Sequence, residues 1–113
     1  MASLFTKIIN RDIPATIVME NDNIIIIKDI QPVAPIHLLI IPKKEIPTLN
    51  DISEEDGKLL LEIFLGIGKI TKELGISEQG YRIVANCNDF GGQEVFHLHF
   101  HLIAGEKMGA IRE

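Results

Sequence analysis

Apolar residues recur along the chain with two different periods, and the switches between them mark out the elements. Leu4, Phe5, Ile8 and Ile9 fall at one-turn spacing behind Ser3, which predicts a short helix within Ser3 to Asp12, ended by Ile13-Pro14. Thr16 to Glu20 is short and rich in β-branched residues, and Asn21-Asp22-Asn23 separates it from the run Ile24–Ile27. That arrangement predicts two antiparallel strands joined by a tight turn. Gln31-Pro32-Val33-Ala34-Pro35 is a loop, because each proline removes a donor and restrains its predecessor to extended geometry. Ile36-His37-Leu38-Leu39-Ile40-Ile41 then runs nearly all apolar to Pro42, the pattern of a central strand buried on both faces, with His37 pointing inward.

One long helix follows. Ser53 is its expected N-cap with Asp56 at the capping-box position, Glu54 and Glu55 suit the positive end of the dipole, and Gly75 closes it after about six turns. Leu60, Ile63, Phe64, Ile67, Ile70 and Leu74 form one apolar stripe opposite Glu62, Lys69, Lys72 and Glu73. Gly66 and Gly68 lower helix propensity, which points to close approach of another backbone, such as a second subunit. Strands are expected over Tyr81–Asn86 and Val95–Ile103, with Asn88-Asp89-Phe90-Gly91-Gly92 as the intervening loop. Five strands with few connections long enough for crossovers predict an α+β fold, a single domain over 1–113 with a mainly antiparallel sheet.

Composition narrows the function classes. Of the 113 residues, 46% are hydrophobic, enough for a real core without disulfides, and the single Cys87 cannot form an intrachain bridge. Met1 to Lys7 has no leader-like apolar run, and the longest apolar stretches fall far short of a bilayer span, so a reducing, cytoplasmic setting is expected. A net charge of −5 argues against a nucleic-acid or membrane partner, while leaving room for a small anion bound by local donors.

Three of the four histidines lie together in His97-Leu98-His99-Phe100-His101. On an extended segment the three imidazoles share one face, rooted about 7 Å apart, and Leu98, Phe100 and Leu102 share the other. Such an array admits three readings: ordinary satisfied histidines, a His-x-His metal site, or covalent catalysis. Against metal stands the lack of a clear carboxylate–histidine or cysteine cluster to complete a shell. In favour of catalysis, a neutral imidazole offers one lone-pair nitrogen as nucleophile while its other N–H fixes the tautomer, and a second imidazole can move a proton. Gly91-Gly92-Gln93 upstream could bring backbone N–H groups to a phosphate oxygen, although Gly-Gly alone usually marks only a turn.

The run His97-Leu98-His99-Phe100-His101-Leu102-Ile103 resembles the His-φ-His-φ-His-φ-φ signature of the histidine triad superfamily, with φ apolar. The resemblance extends through Leu4-Phe5-Thr6-Lys7-Ile8-Ile9, Ile13-Pro14-Ala15, Asp29 to Pro35, His37 to Lys43, and Gly91-Gly92-Gln93-Glu94-Val95-Phe96. It is greatest to the Hint branch and its bacterial purine nucleoside phosphoramidases. The implied fold is a homodimer in which two five-stranded sheets join into one of ten strands, with a nucleotide pocket in each subunit.

The resemblance also implies roles. His99 is the expected nucleophile on the α-phosphorus, expelling an amine and becoming nucleotidylated before water releases the nucleotide. His101 contacts the phosphate and moves the leaving-group proton, His97 and His37 position the others, and Asp29 accepts hydrogen bonds from the ribose hydroxyls. Phe5, Ile8, Ile30 and Leu39 surround the purine of an AMP- or GMP-type nucleotide; Asn86, Gly92, Gln93 and Glu94 lie near the phosphate and leaving group. No cofactor or metal is implied. Glu94 stands where many relatives carry Ser or Thr, and the tail Met108 to Glu113 lacks the tryptophan-containing ending of eukaryotic relatives; both bear on which amine departs. A weakly catalytic nucleotide-binding regulatory dimer and a dinucleoside polyphosphate hydrolase remain alternatives.

Overall fold

A computed structural model describes residues 2–111, so Arg112 and Glu113 of the tail lie outside the described residues. The elements are α1 (Leu4–Ile9), β1 (Ile17–Glu20), β2 (Ile24–Lys28), β3 (Ile36–Pro42), α2 (Gly57–Glu73), β4 (Arg82–Val84) and β5 (Phe100–Ala104), with short 3-10 turns at Leu49–Asp51 and Glu54–Asp56. The strands form one sheet in the order β1-β2-β3-β5-β4, and every neighbouring pair is antiparallel. Among the described residues no helix is long and apolar enough to cross a membrane.

Strand alternation splits the core into two layers. Ile24, Ile26, Leu38 and Ile40 turn to the α2 side and pack with Ile63, Ile67, Ile70, Leu98, Phe100 and Leu102. Ile25, Ile27, Leu39 and Ile41 turn to the opposite side, where Phe5 and Ile8 of α1 cover them. The unbroken isoleucine and leucine runs of β2 and β3 therefore bury both faces, each such side chain contributing about 1.5–3 kcal/mol on burial. Ser3 caps α1, its hydroxyl accepting the Thr6 N–H at 3.0 Å.

The central helix differs from expectation in two respects. Ser53 and Asp56 do meet, with the Ser53 N–H donating to the Asp56 carboxylate at 3.0 Å, but they bracket a 3-10 turn and the α-helix begins only at Gly57. Gly75 ends it in the left-handed region at φ 71°. The expected single stripe also divides: Ile63, Ile67 and Ile70 are buried, whereas Phe64 and Leu74 are 53% and 42% exposed. Phe64 sits beside exposed Leu61 and Leu65 at the margin of the sheet, its ring meeting Phe100 of β5 edge-on at 5.6 Å. A Cβ on Gly66 would lie 2.9 Å from the Ile24 side chain, so what approaches there is the sheet rather than another backbone, and nothing within 4 Å faces Gly68.

The last two strands are shorter than their sequence pattern. β4 keeps only Arg82–Val84 of Tyr81–Asn86, and β5 starts at Phe100 instead of Val95. The chain bends at 95–97, and the Leu98 N–H donates to the Ile46 carbonyl at 2.6 Å, outside the ladder that ends with Ile40 opposite Phe100.

Candidate active site

The sheet register gathers the four histidines. Leu39 lies opposite His101 and His37 opposite Ile103 across β3 and β5, so His37, Leu39 and His101 face the α1 side while Leu38 and Leu102 face α2. Although His97 and His99 precede β5, alternation persists through the bend: Leu98 and Phe100 enter the α2 layer and the imidazoles stay on the other face. The His99 and His101 rings are 5.1 Å apart, and those of His37 and His101 5.2 Å.

Hydrogen-bond partners assign the tautomers. His97 is fully buried; its Nε2 lies 2.7 Å from the Pro42 carbonyl and must donate, so its Nδ1 accepts from the Ser3 hydroxyl at 2.6 Å. His99 Nδ1–H donates to the His97 carbonyl at 2.8 Å, which leaves the lone pair on Nε2. His37 Nδ1 accepts the Val33 N–H at 3.2 Å, placing its proton on Nε2, 2.9 Å from His101 Nδ1 and 3.4 Å from Asp29 Oδ2. His101 Nδ1 is therefore an acceptor, and the proton of neutral His101 sits on Nε2. Two neighbouring rings thus leave opposite groups unengaged, a bare nitrogen on His99 and an N–H on His101.

Burial pushes the pKa values of His97, His99 and His101 below the ordinary histidine value. The Pro42 carbonyl opposes the shift at His97, the His97 carbonyl opposes it at His99, and neighbouring His99 and His37 deepen it at His101 against the pull of Asp29. The shifts favour the neutral form of all three rings, in keeping with the tautomers that the hydrogen bonds assign.

A cleft of about 310 Å³ opens over these rings, lined by His37, His99, His101, Asp29, Leu39, Asn86, Gly92 and Glu94 together with Gln31, Val33 and Val95. Asp29 also anchors its own loop, Oδ1 accepting the Gln31 N–H at 2.8 Å. Four expected pocket residues lie elsewhere. Phe5 and Ile8 are buried beneath the cleft, Phe5 meeting His99 edge-on at 4.9 Å and His97 at 5.9 Å. Ile30 is almost wholly exposed on the loop beside Asp29. The Gln93 amide is buried and committed to the chain, donating to the Pro47 and Val95 carbonyls and accepting the Asn88 N–H.

Nor are the amides of Gly92 and Gln93 free to bind an anion. The N–H groups of Gly92 and Gln93 donate to the carbonyls of Asp89 and Asn88, closing the loop on itself. Gly91 is required because a Cβ would fall 2.5 Å from the Cys87 carbonyl oxygen, and Gly92 because its φ is 78°. Asn86 ties the loop down, its side chain donating to the Gly91 carbonyl at 2.6 Å. The loop forms one wall of the cleft.

Sequence reasoning missed Gln31, Val33 and Val95, whose apolar or amide side chains carry no chemical signature, and the contact between Ser3 and His97. Ser3 was legible only as a helix cap. Among the described residues, the metal-ligating types within mutual reach are Asp29, His37 and His101, whose donor atoms lie within 4.8 Å of one another. His99 is outside that group, and the two imidazoles in it already pair with each other.

The comparisons with known proteins agree with this architecture. The HIT domain model matches residues 10–108. The chain is 46% identical over 107 residues to the purine nucleoside phosphoramidase of Escherichia coli, covering 95% of this chain and 90% of that one. It is 47% identical over 111 residues to an uncharacterized HIT-like protein of Chlamydia trachomatis, covering 98% and 99%. Among solved structures, a HIT family hydrolase from Legionella pneumophila superposes with a TM-score of 0.96 at 48% identity, covering 99% of this chain and 100% of that one. A histidine triad protein from Clostridium difficile superposes with a TM-score of 0.92 at 42% identity, covering 96% and 95%. The histidine signature leading into β5, the antiparallel five-stranded sheet and these likenesses along nearly the full chain lead to one conclusion: the chain belongs to the HIT domain family.

Proposed function

We propose that the protein is a hydrolase of purine nucleoside 5′-phosphoramidates that acts through a covalent nucleotidyl-His99 intermediate. The observation that carries this reading is the opposed pair in the cleft: His99 with a bare Nε2, held by the His97 carbonyl, beside His101 with a proton on Nε2. His99 Nε2 attacks the α-phosphorus, an N–P bond forms, and the P–N bond to the amine breaks while the amine takes the His101 proton. Water then attacks the phosphorus and gives its proton to His101. The His99–phosphorus bond breaks, and a nucleoside 5′-monophosphate leaves. The negative charge that His101 acquires on giving up its proton is balanced by the positive charge of the phosphorus-bound His99 ring, and the His37 N–H stays donated to His101 Nδ1 throughout.

Asp29 faces the cleft with acceptor capacity beyond the Gln31 contact, suited to ribose hydroxyls. The name of the Escherichia coli relative supports purine phosphoramidates over other substrates of the same chemistry. Exposed Leu61, Phe64 and Leu65 on α2, with β4 at a sheet edge, support a homodimer joined edge to edge into ten strands; Phe64→Glu should yield monomers by sedimentation. A cytoplasmic site fits the lone, unbridged Cys87. The reaction class is tested by mass spectrometry of protein quenched during turnover of adenosine 5′-phosphoramidate. Adenylate on His99 is the expected result, and an unmodified His99 under steady turnover refutes the covalent route.

A further inference from the structure

Beside His97, outside the lining of the cleft, lies a polar cluster that the reaction above does not use. Glu45 follows β3 and receives two hydrogen bonds at one oxygen, from the Ser3 N–H at 2.9 Å and the Thr6 hydroxyl at 2.6 Å. Ser3 accepts the Thr6 N–H at 3.0 Å, and its own hydroxyl proton goes to His97 Nδ1 at 2.6 Å. From there the path continues to the nucleophile: His97 Nε2–H to the Pro42 carbonyl, and the His97 carbonyl to His99 Nδ1–H. Three segments distant in sequence therefore converge on one buried ring.

We propose that Ser3, anchored by Thr6 and Glu45, is a positioning residue for His99, acting through His97. This rests on His99 being the nucleophile. A buried imidazole needs one donor and one acceptor partner to hold a single tautomer and a single ring orientation. The Ser3 hydroxyl is the donor. With it, His97 stays neutral, proton on Nε2, clamped between α1 and the end of β3; its carbonyl then points steadily at His99 Nδ1 and keeps the His99 lone pair on Nε2. Without it, the only other hydroxyl near His97 Nδ1 is that of Thr6 at 3.4 Å, whose proton goes to Glu45, and the ring gains freedom to tilt or exchange tautomers, loosening the carbonyl that His99 depends on. Ser3 thus combines two duties in one hydroxyl, accepting from the helix and donating to the histidine. The same hydrogen bonds from Thr6 and Ser3 hold the Glu45 carboxyl below its ordinary pKa, so it stays ionised and the anchor persists at neutral pH.

Glycine caps a helix nearly as well as serine but has no hydroxyl, so Ser3→Gly separates the two duties, and Ser3→Thr restores both. Three readings are taken on the unaltered protein and both variants: kcat and KM for adenosine 5′-phosphoramidate, 15N signals of the imidazole nitrogens without substrate, and adenylate trapped on His99. Ser3→Gly should lower kcat about tenfold with KM changed by less than about twofold, and should shift the His97 Nδ1 signal away from that of a hydrogen-bonded bare nitrogen. Ser3→Thr should stay within about twofold of the unaltered protein in both readings. A Ser3→Gly protein that keeps its kcat while His99 is still adenylated overturns the role of Ser3 alone. So does a Ser3→Thr protein as impaired as Ser3→Gly. Absence of adenylate on His99 in the unaltered protein refutes the nucleophile, and with it any catalytic part for Ser3, while the ring-nitrogen signals still report whether Ser3 holds His97.

Discussion

The segment from His97 to Leu102 contributes to two regions of opposite character. On the α2 side, Leu98, Phe100 and Leu102 join isoleucines and leucines in an apolar layer. On the α1 side, within the same six residues, His97, His99 and His101 are held by hydrogen bonds to carbonyls, a hydroxyl and one another. The apolar layer is stabilised by area removed from water, which is nearly indifferent to small rotations. The imidazole layer is directional: a ring turned out of line with its partner weakens the hydrogen bond that fixes its tautomer. The apolar side therefore sets where the segment lies, and the polar side sets which nitrogen faces the cleft. Among the described residues no fully buried side-chain polar atom lacks a partner, so the only imidazole groups left unengaged are those that open on the cleft, His99 Nε2 and the His101 N–H.

Substitutions on the two faces should separate these contributions. The largest effect is expected from His99→Ala, which should lower phosphoramidate turnover by about 10⁴-fold or more while leaving the melting temperature and nucleotide binding near their original values. Stopped assays beside a thermal melt check both halves. Leu102→Ala, on the opposite face, should do the reverse: a loss of roughly 2–5 kcal/mol in urea unfolding, with activity per folded molecule retained at low temperature. Equal losses of kcat in the two variants would erase the distinction between the faces.

His101→Ala should cost about 10²-fold in kcat with an alkylamine leaving group and much less with an aniline, which departs without a proton. An equal loss with both amines would remove His101 from the proton-transfer role. The pH dependence is subtler. Because burial lowers the pKa values of His99 and His101, kcat/KM should stay level from neutral pH to below the ordinary histidine value of about 6.5 and fall only under it, as His99 is protonated. The same shifts act on stability. A histidine whose folded pKa is depressed binds its proton more readily when unfolded, so its contribution is complete above about pH 6.5 and is lost as pH falls from there towards the folded value. Unfolding midpoints between pH 7.5 and 5 should decline accordingly, less so in His97→Gln. The smallest effect belongs to metal removal: extensive chelation should leave turnover unchanged, because His99 lies outside the Asp29, His37 and His101 group.

Much of this was legible along the chain. The 3.6-residue spacing behind Ser3, the two-faced runs of β2 and β3, and the alternation of His97, His99 and His101 each report a local period that burial enforces. The fold class, the element order and the shared face of the imidazoles follow from those periods. Where the reading erred, non-local contacts had intervened. β5 is short at its start because Leu98 bonds Ile46, a partner more than fifty residues away. The α2 stripe divides because a helix buries only the arc that meets the sheet, which spacing alone cannot fix. Of the two roles that Gly91-Gly92-Gln93 allows, donor cradle or turn, the structure shows the turn, with the Gly92 and Gln93 amides bonded inside the loop.

By itself the sequence determined the kinds of groups present and the side of each strand on which they fall, since both are consequences of residue type and backbone period. Only the tertiary structure decided which nitrogen of each imidazole carries the proton. That depends on Pro42, Ser3, Val33 and the His97 carbonyl arriving within hydrogen-bond reach, and hydrogen bonds are set by distances between segments that no local pattern encodes.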